Sequence, residues 1–230
     1  MTDSRTGEIR KIARSLFEEG KIELFLGFQR GSLPLRSRPC FVPAADAASG
    51  LQRLVWDSFC ANNLAAYLPK YYENLPNRAK KRDKPYPRIG IAAKACDLRS
   101  IVALTKEKQV RRESLVVVGV PCTGMIDVRK VEVAAGGKEI LGHEEVDGDL
   151  LRVAVRDAQS LSLPREQVLQ DCCLECRHPV PEGADLLVSG QARKPGDGGY
   201  ARVREFEAKP QAERWEHFRG HRQRCNAGVT

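Results

Sequence analysis

The chain has 230 residues, 42% hydrophobic and 30% charged, with 38 Lys plus Arg against 30 Asp plus Glu and a formal net charge of +8. These figures fit a globular protein with ample core, and they exclude a disordered chain or a mini-protein that needs disulfide staples. The longest uncharged apolar stretch, 114–126, contains a proline and is too short for a membrane span, and the N-terminus lacks the apolar run of a secretory signal. A cytoplasmic protein is therefore expected.

Ile9, Ile12, Leu16 and Phe17 recur at helical spacing before Gly20, which predicts a first helix. A strand is expected over 21–28, a Pro/Gly/Ser-rich loop over 30–49, and a helix over 51–68. The stretch 69–88 carries seven basic residues against two acidic ones and several prolines, and reads as an exposed basic loop. RIGIAA (88–93) has the length and branching of a buried strand. Asp97 is a good N-cap for a helix to about Lys108, and SLVVV (114–118) is a second buried strand. Strand, helix and strand within about thirty residues make a right-handed βαβ unit with parallel strands. Alternating runs on either side of Asp147-Gly148 predict a hairpin over 140–155, and 185–188 is a third short strand. The tail from Gln191 is basic and helical through Trp215 and Phe218. The expected fold is α/β: a mainly parallel central sheet with flanking helices and an inserted β-hairpin, as a domain over 1–190 followed by a basic extension over 191–230.

Eight cysteines in a long chain without a secretory signal point to metal, cluster or redox chemistry rather than to disulfides. Cys96 follows the first strand of the βαβ unit and Cys122 the second. Loops beyond the carboxyl ends of neighbouring parallel strands face one crevice, where ligands of open α/β sheets bind. Cys173 and Cys176 form a local C-x-x-C turn. Four thiolates suit either a 4Fe–4S cluster or an all-cysteine zinc site, and a reduced thiol pair is the third reading. Lys94, Arg99 and Arg177 stand near the proposed ligands, and positive charge there favours a reduced cluster. Cys60 is expected to pack in a helix. The four histidines, His143, His178, His217 and His221, lie in charged contexts and are expected to be exposed, no His-x-x-x-His metal pair is expected, and only His178 is kept as a reserve ligand.

The motifs KACDLRSIVALTKEKQV, VVVGVPCTGMID and CLECRHPVPEGADLLVSG, with GSLPLRSRPCF and WDSFCANNLAAYLP earlier in the chain, resemble the beta-subunit family of coenzyme F-420-reducing hydrogenases and dehydrogenases. The resemblance is to its 4Fe–4S dicluster branch, associated with heterodisulfide reductase and formate dehydrogenase. It implies an iron–sulfur electron-transfer subunit that passes electrons between such a partner and a flavin or deazaflavin. It also implies a cluster on Cys96, Cys122, Cys173 and Cys176. Members of the family commonly bind FAD. Lys94, Thr123 and Gly124 are the crevice-facing candidates for that cofactor, although no Gly-x-Gly-x-x-Gly motif is present. Relatives continue into a ferredoxin-like run of cysteines, whereas here Cys225 stands alone near residue 230. The competing reading is a zinc-stabilised binding module. Its basic loop, with Tyr71, Tyr72 and Tyr86, would engage nucleic acid or an acidic protein; solvated-loop character disfavours nucleic acid.

Overall fold

The structure is a computed structural model that describes residues 4–74, 86–146, 149–157, 159–195 and 201–227, with side chains in the last segment at 201 and 203–221. Helix α1 (Ser4–Glu18) leads into strand β1 (Leu24–Arg30), which pairs antiparallel with β2 (Ser37–Pro43). Helix α2 (Ala47–Arg53), the two-residue strand β3 (Leu54–Val55) and helix α3 (Tyr67–Glu73) follow. Then come β4 (Ile89–Ala93), helix α4 (Ala95–Lys106), β5 (Leu115–Gly119) and helix α5 (Val128–Ala134). Strands β6 (Ile140–Val146), β7 (Leu150–Val155) and β8 (Leu161–Pro164) precede the single-turn helices α6 (Arg165–Val168) and α7 (Asp171–Leu174). Strand β9 (Leu186–Leu187) and helices α8 (Ala201–Glu207) and α9 (Gln211–Ala227) complete the order.

The main sheet runs β2-β1-β4-β5-β9, with β3 pairing β1 off that path. Its β1–β4, β4–β5 and β5–β9 pairs are parallel. Every residue of β4 is buried, as is the start of β1, which is why these strands read as continuous apolar runs: helices cover both faces. Strands β6, β7 and β8 form a separate antiparallel sheet. There β7 alternates buried and exposed along LLRVAV, with Leu151, Val153 and Val155 packing on Ile126, Val131, Val168 and Leu169 in a second core. The mainly parallel sheet and the antiparallel unit agree with the expected fold class. The hairpin strands form as predicted, its Asp147-Gly148 turn lies outside the described residues, and β8 adds a third strand.

Asp97 is not the N-cap of α4 but its third residue, where its carboxylate accepts the N–H of the N-cap Lys94 at 2.8 Å, and two longer stretches also depart from expectation. The segment 30–49 is not a loop, because β2 and the start of α2 lie within it. Pro39 and Pro43 are tolerated because β2 is an edge strand that buries only Cys40 and Val42. The helix expected over 51–68 is also absent. Its apolar residues Leu54, Trp56, Phe59 and Cys60 are buried, but from an irregular path. Asp57 Oδ1 accepts the Phe59 N–H at 2.8 Å, and Asn63 Oδ1 accepts the Ala65 N–H at 3.0 Å. These side-chain bonds offer the backbone an alternative to helix. Cys60 is packed as expected, though in this loop rather than in a helix.

Part of the basic stretch is ordered as α3, and 75–85 lie outside the described residues. The tyrosines that the competing reading would stack on bases are spent internally. Tyr71 stacks on Phe41 at 6.0 Å between centroids, Tyr72 meets Tyr86 at 5.4 Å, and the Arg111 guanidinium lies 4.0 Å above Tyr86. Among the described residues no helix is long and apolar enough to cross a membrane.

Candidate metal centre

Strands β4 and β5 pair with Ala93 opposite Gly119, and each cysteine of the βαβ unit stands three residues beyond one of these partners. Cys96 lies in the first turn of α4 and Cys122 in the loop leaving β5, so parallel register alone brings them to one edge of the sheet. Cys173 and Cys176 reach the same place on the chain returning toward β9. The Cys122 amide donates to Pro179 O at 2.9 Å, and the Arg193 amide donates to Cys122 O at 2.9 Å. Gly119 makes that return possible. A Cβ there would stand 2.7 Å from both Ala184 Cβ and Pro181 Cγ, so only glycine admits the close approach.

Cys122 is the hub: its thiol interacts electrostatically with those of Cys96, Cys173 and Cys176. Loss of hydration pushes all three of Cys96, Cys122 and Cys173 above the ordinary thiol range, Cys96 to about 11 and Cys173 to about 12. Cys96 is exposed as a residue, yet its sulfur is crowded enough for that effect, and Asp97 adds to it. Two backbone N–H groups oppose the trend by pointing at sulfur. Gly124 N donates to Cys122 Sγ at 3.3 Å, and Met125 N to Cys173 Sγ at 3.4 Å. Such donors stabilise negative sulfur. Among the described residues, no three Cys, His, Asp or Glu side chains stand close enough to share one metal ion. Cys172 and His178 are exposed beside the loop.

Two arginines that carry no motif in the sequence hold this loop cluster together. Arg165 is buried, and its guanidinium donates to Glu145 Oε2 (3.1 Å), Ser58 Oγ (2.5 Å), Thr123 Oγ1 (3.0 Å) and Gly124 O (2.8 Å). It thereby rivets the Cys122 loop to the antiparallel sheet. Arg193 donates from Nη1 to the carbonyls of Cys173 (2.8 Å) and Leu174 (2.9 Å), capping the last turn of α7. The chain just past 190 is thus part of the same assembly, and Gln191 O also accepts from Arg5 at 3.0 Å.

Lys94, Thr123 and Gly124 stand beside the crevice but are largely engaged within the chain. Lys94 is 1% exposed. Its ammonium donates to Cys60 O (3.0 Å) and Asn62 O (3.1 Å), pairs with Asp97 at 3.0 Å, and lies 4.8 Å over the Phe28 ring. Gly124 uses its N–H on Cys122 and its C=O on Arg165, and Thr123 accepts from Arg165 at its hydroxyl and its C=O. The polar atoms of these three residues are thus largely committed within the chain, which leaves few of them to hold a flavin.

Neither a comparison with protein-family models nor a search of curated proteins finds a match. The fold has a solved counterpart: 88% of this chain superposes on 72% of a chain from the F420-reducing NiFe hydrogenase complex of Methanosarcina barkeri, determined as a xenon derivative. The TM-score is 0.55 at 15% identity, so what the two chains share is the fold.

Proposed function

We propose that the chain is an iron–sulfur electron-transfer subunit of a redox complex. In this reading Cys96, Cys122, Cys173 and Cys176 hold a 4Fe–4S cluster. The observation that carries it is the convergence of four thiols, from two strand ends and a C-x-x-C turn, with backbone amides aimed at two of the sulfurs. A fold shared with a chain of a hydrogenase complex supports a redox setting. An all-cysteine zinc site is the second reading, since the same four thiolates would serve it at Zn–S near 2.3 Å. The Gly124 and Met125 amides that donate to sulfur favour the cluster, whose potential such donors tune.

The cluster supplies the one-electron chemistry, and the protein tunes its potential by hydrogen bonds, charge and burial. Gly124 N and Met125 N lower the charge density on two ligand sulfurs. Lys94, being paired with Asp97, contributes little net charge. The three thiols with raised pKa must lose their protons on binding iron, so loading releases protons. The electron partner would be a hydrogenase-, formate-dehydrogenase- or heterodisulfide-reductase-like subunit, and a flavin or deazaflavin that exchanges electrons with it would be held by residues other than Lys94, Thr123 and Gly124.

Anaerobic purification followed by iron, acid-labile sulfide, zinc and flavin analysis tests this reading. About four irons and four sulfides per chain are expected, with most of the iron lost in Cys122→Ser. Unchanged iron in that variant would remove Cys122 from the ligand set, and zinc in place of iron would return the site to a structural role.

A further inference from the structure

Helix α9 carries a spacing that the cysteine crevice does not use. Glu213, His217, His221 and Cys225 recur at every fourth residue along it. Residues four apart on an α-helix stand one above the next, a 5.4 Å turn apart, with Cβ atoms about 5–6 Å from each other. The two imidazoles follow this geometry closely: the ring centroids of His217 and His221 are 4.4 Å apart and the planes are tilted by 38°. Histidines at i and i+4 on one helical face are the arrangement that shares a zinc ion, each nitrogen about 2.0–2.1 Å from the metal.

The neighbours favour the chelate. Phe206, from α8, packs against the His217 ring at 5.0 Å between centroids, which restricts that side chain and reduces the entropy lost on closing the ring. Both histidines line an apolar groove of about 660 Å³ together with Phe206, Trp215 and Phe218. Arg214 lines the same groove, so affinity there must come from coordination rather than from an attractive field. That selects a borderline transition ion over calcium or magnesium, which need hard oxygen donors.

We propose that His217 and His221 chelate a zinc-class divalent ion on α9. This site is independent of the cysteine crevice and of the reading given to it. The test is a zinc titration of the purified full chain against a chromophoric chelator, beside His217→Ala, His221→Ala and Cys122→Ser. Both histidines are exposed, so circular dichroism should show their variants folded. One zinc that each histidine variant binds roughly a hundredfold more weakly is expected, as loss of a linked donor implies, with Cys122→Ser binding it as the unaltered chain does. Wild-type affinity in both histidine variants, or loss of the ion only in Cys122→Ser, overturns the site.

Discussion

Replacing Lys94 with Met keeps the side chain's length and removes its charge from a place with no water to compensate. Asp97, 0% exposed, would keep only two donors, the Lys94 N–H at 2.8 Å and the Leu64 N–H at 3.0 Å, and would lose its cation. The carbonyls of Cys60 and Asn62 would lose the ammonium they share. Breaking a buried pair by removing one member costs about 3–5 kcal/mol, so a loss of about 4 kcal/mol is expected. With an m-value of about 2.5 kcal/mol/M in urea, the midpoint should fall by roughly 1.6 M. Metal-free, reduced protein is the right sample, followed by circular dichroism and by fluorescence of Trp56, whose ring lies 5.7 Å from the Lys94 ammonium. Lys94→Met combined with Asp97→Asn should be less damaged than the two single losses summed, by about 1–3 kcal/mol, as for residues in one network. A midpoint shift under about 0.4 M, or strict additivity in the cycle, would refute the idea that this pair locks the 56–64 loop to α4.

Gly124→Ala places a Cβ 2.8 Å from Leu169 Cδ2 at a φ of +91°; about 1–2 kcal/mol of left-handed strain and about 1–3 of overpacking should lower thermal stability measurably. A melting temperature equal to wild type would show that the loop relaxes freely. In Arg193→Ala the carbonyls of Cys173 and Leu174 lose their cap, so amide exchange over 170–177 should accelerate about tenfold, or about 1.4 kcal/mol, with β4 unchanged; uniform acceleration would count against a local role. His143 is held below the usual imidazole range by burial beside Phe59, against the opposing pull of Asp57 and Glu145. The unfolded chain therefore binds more protons than the folded one as pH falls below about 6.5, so stability present above that pH should decline as the pH drops through and below it. His143→Phe should flatten this part of the pH–stability curve, and an identical slope in both proteins would assign the dependence elsewhere.

The βαβ unit was legible in the sequence because β4 and β5 are apolar throughout and α4 has a clear buried stripe, Leu98 and Ile101 among it. The same unit fixes Cys96 and Cys122 at one sheet edge by topology, so half of the candidate centre follows from strand order. The edge strand β2 was not legible, since prolines that signal loop in isolation are harmless where one side of a strand makes no sheet bonds. Apolar spacing over 51–68 misled for a related reason: Asp57 and Asn63 redirect the backbone, and burial then comes from tertiary contacts. Arg165, Glu145 and Arg193 leave no local signal, because their partners in this cluster lie 19 or more residues away. The His217/His221 pair was visible as spacing, but weighing histidines one at a time by their charged surroundings hides what a helix does to residues four apart.

The return of the chain to the Cys122 loop also sets a timetable. Cys96 and Cys122 belong to a unit whose contacts are local and which can close soon after it is made. Cys173 and Cys176 follow about fifty residues later, and the Arg193 contact to Cys122 O closes a span of about seventy residues, which at 5–20 residues per second takes roughly 4–14 s to synthesise. During that interval two thiols wait without their companions, open to stray oxidants and to the wrong ions. A metal bound by the proposed cluster ligands would therefore be received late, after the last third has docked, and cells short of reductant should show damage first at Cys96, the most exposed of the waiting pair.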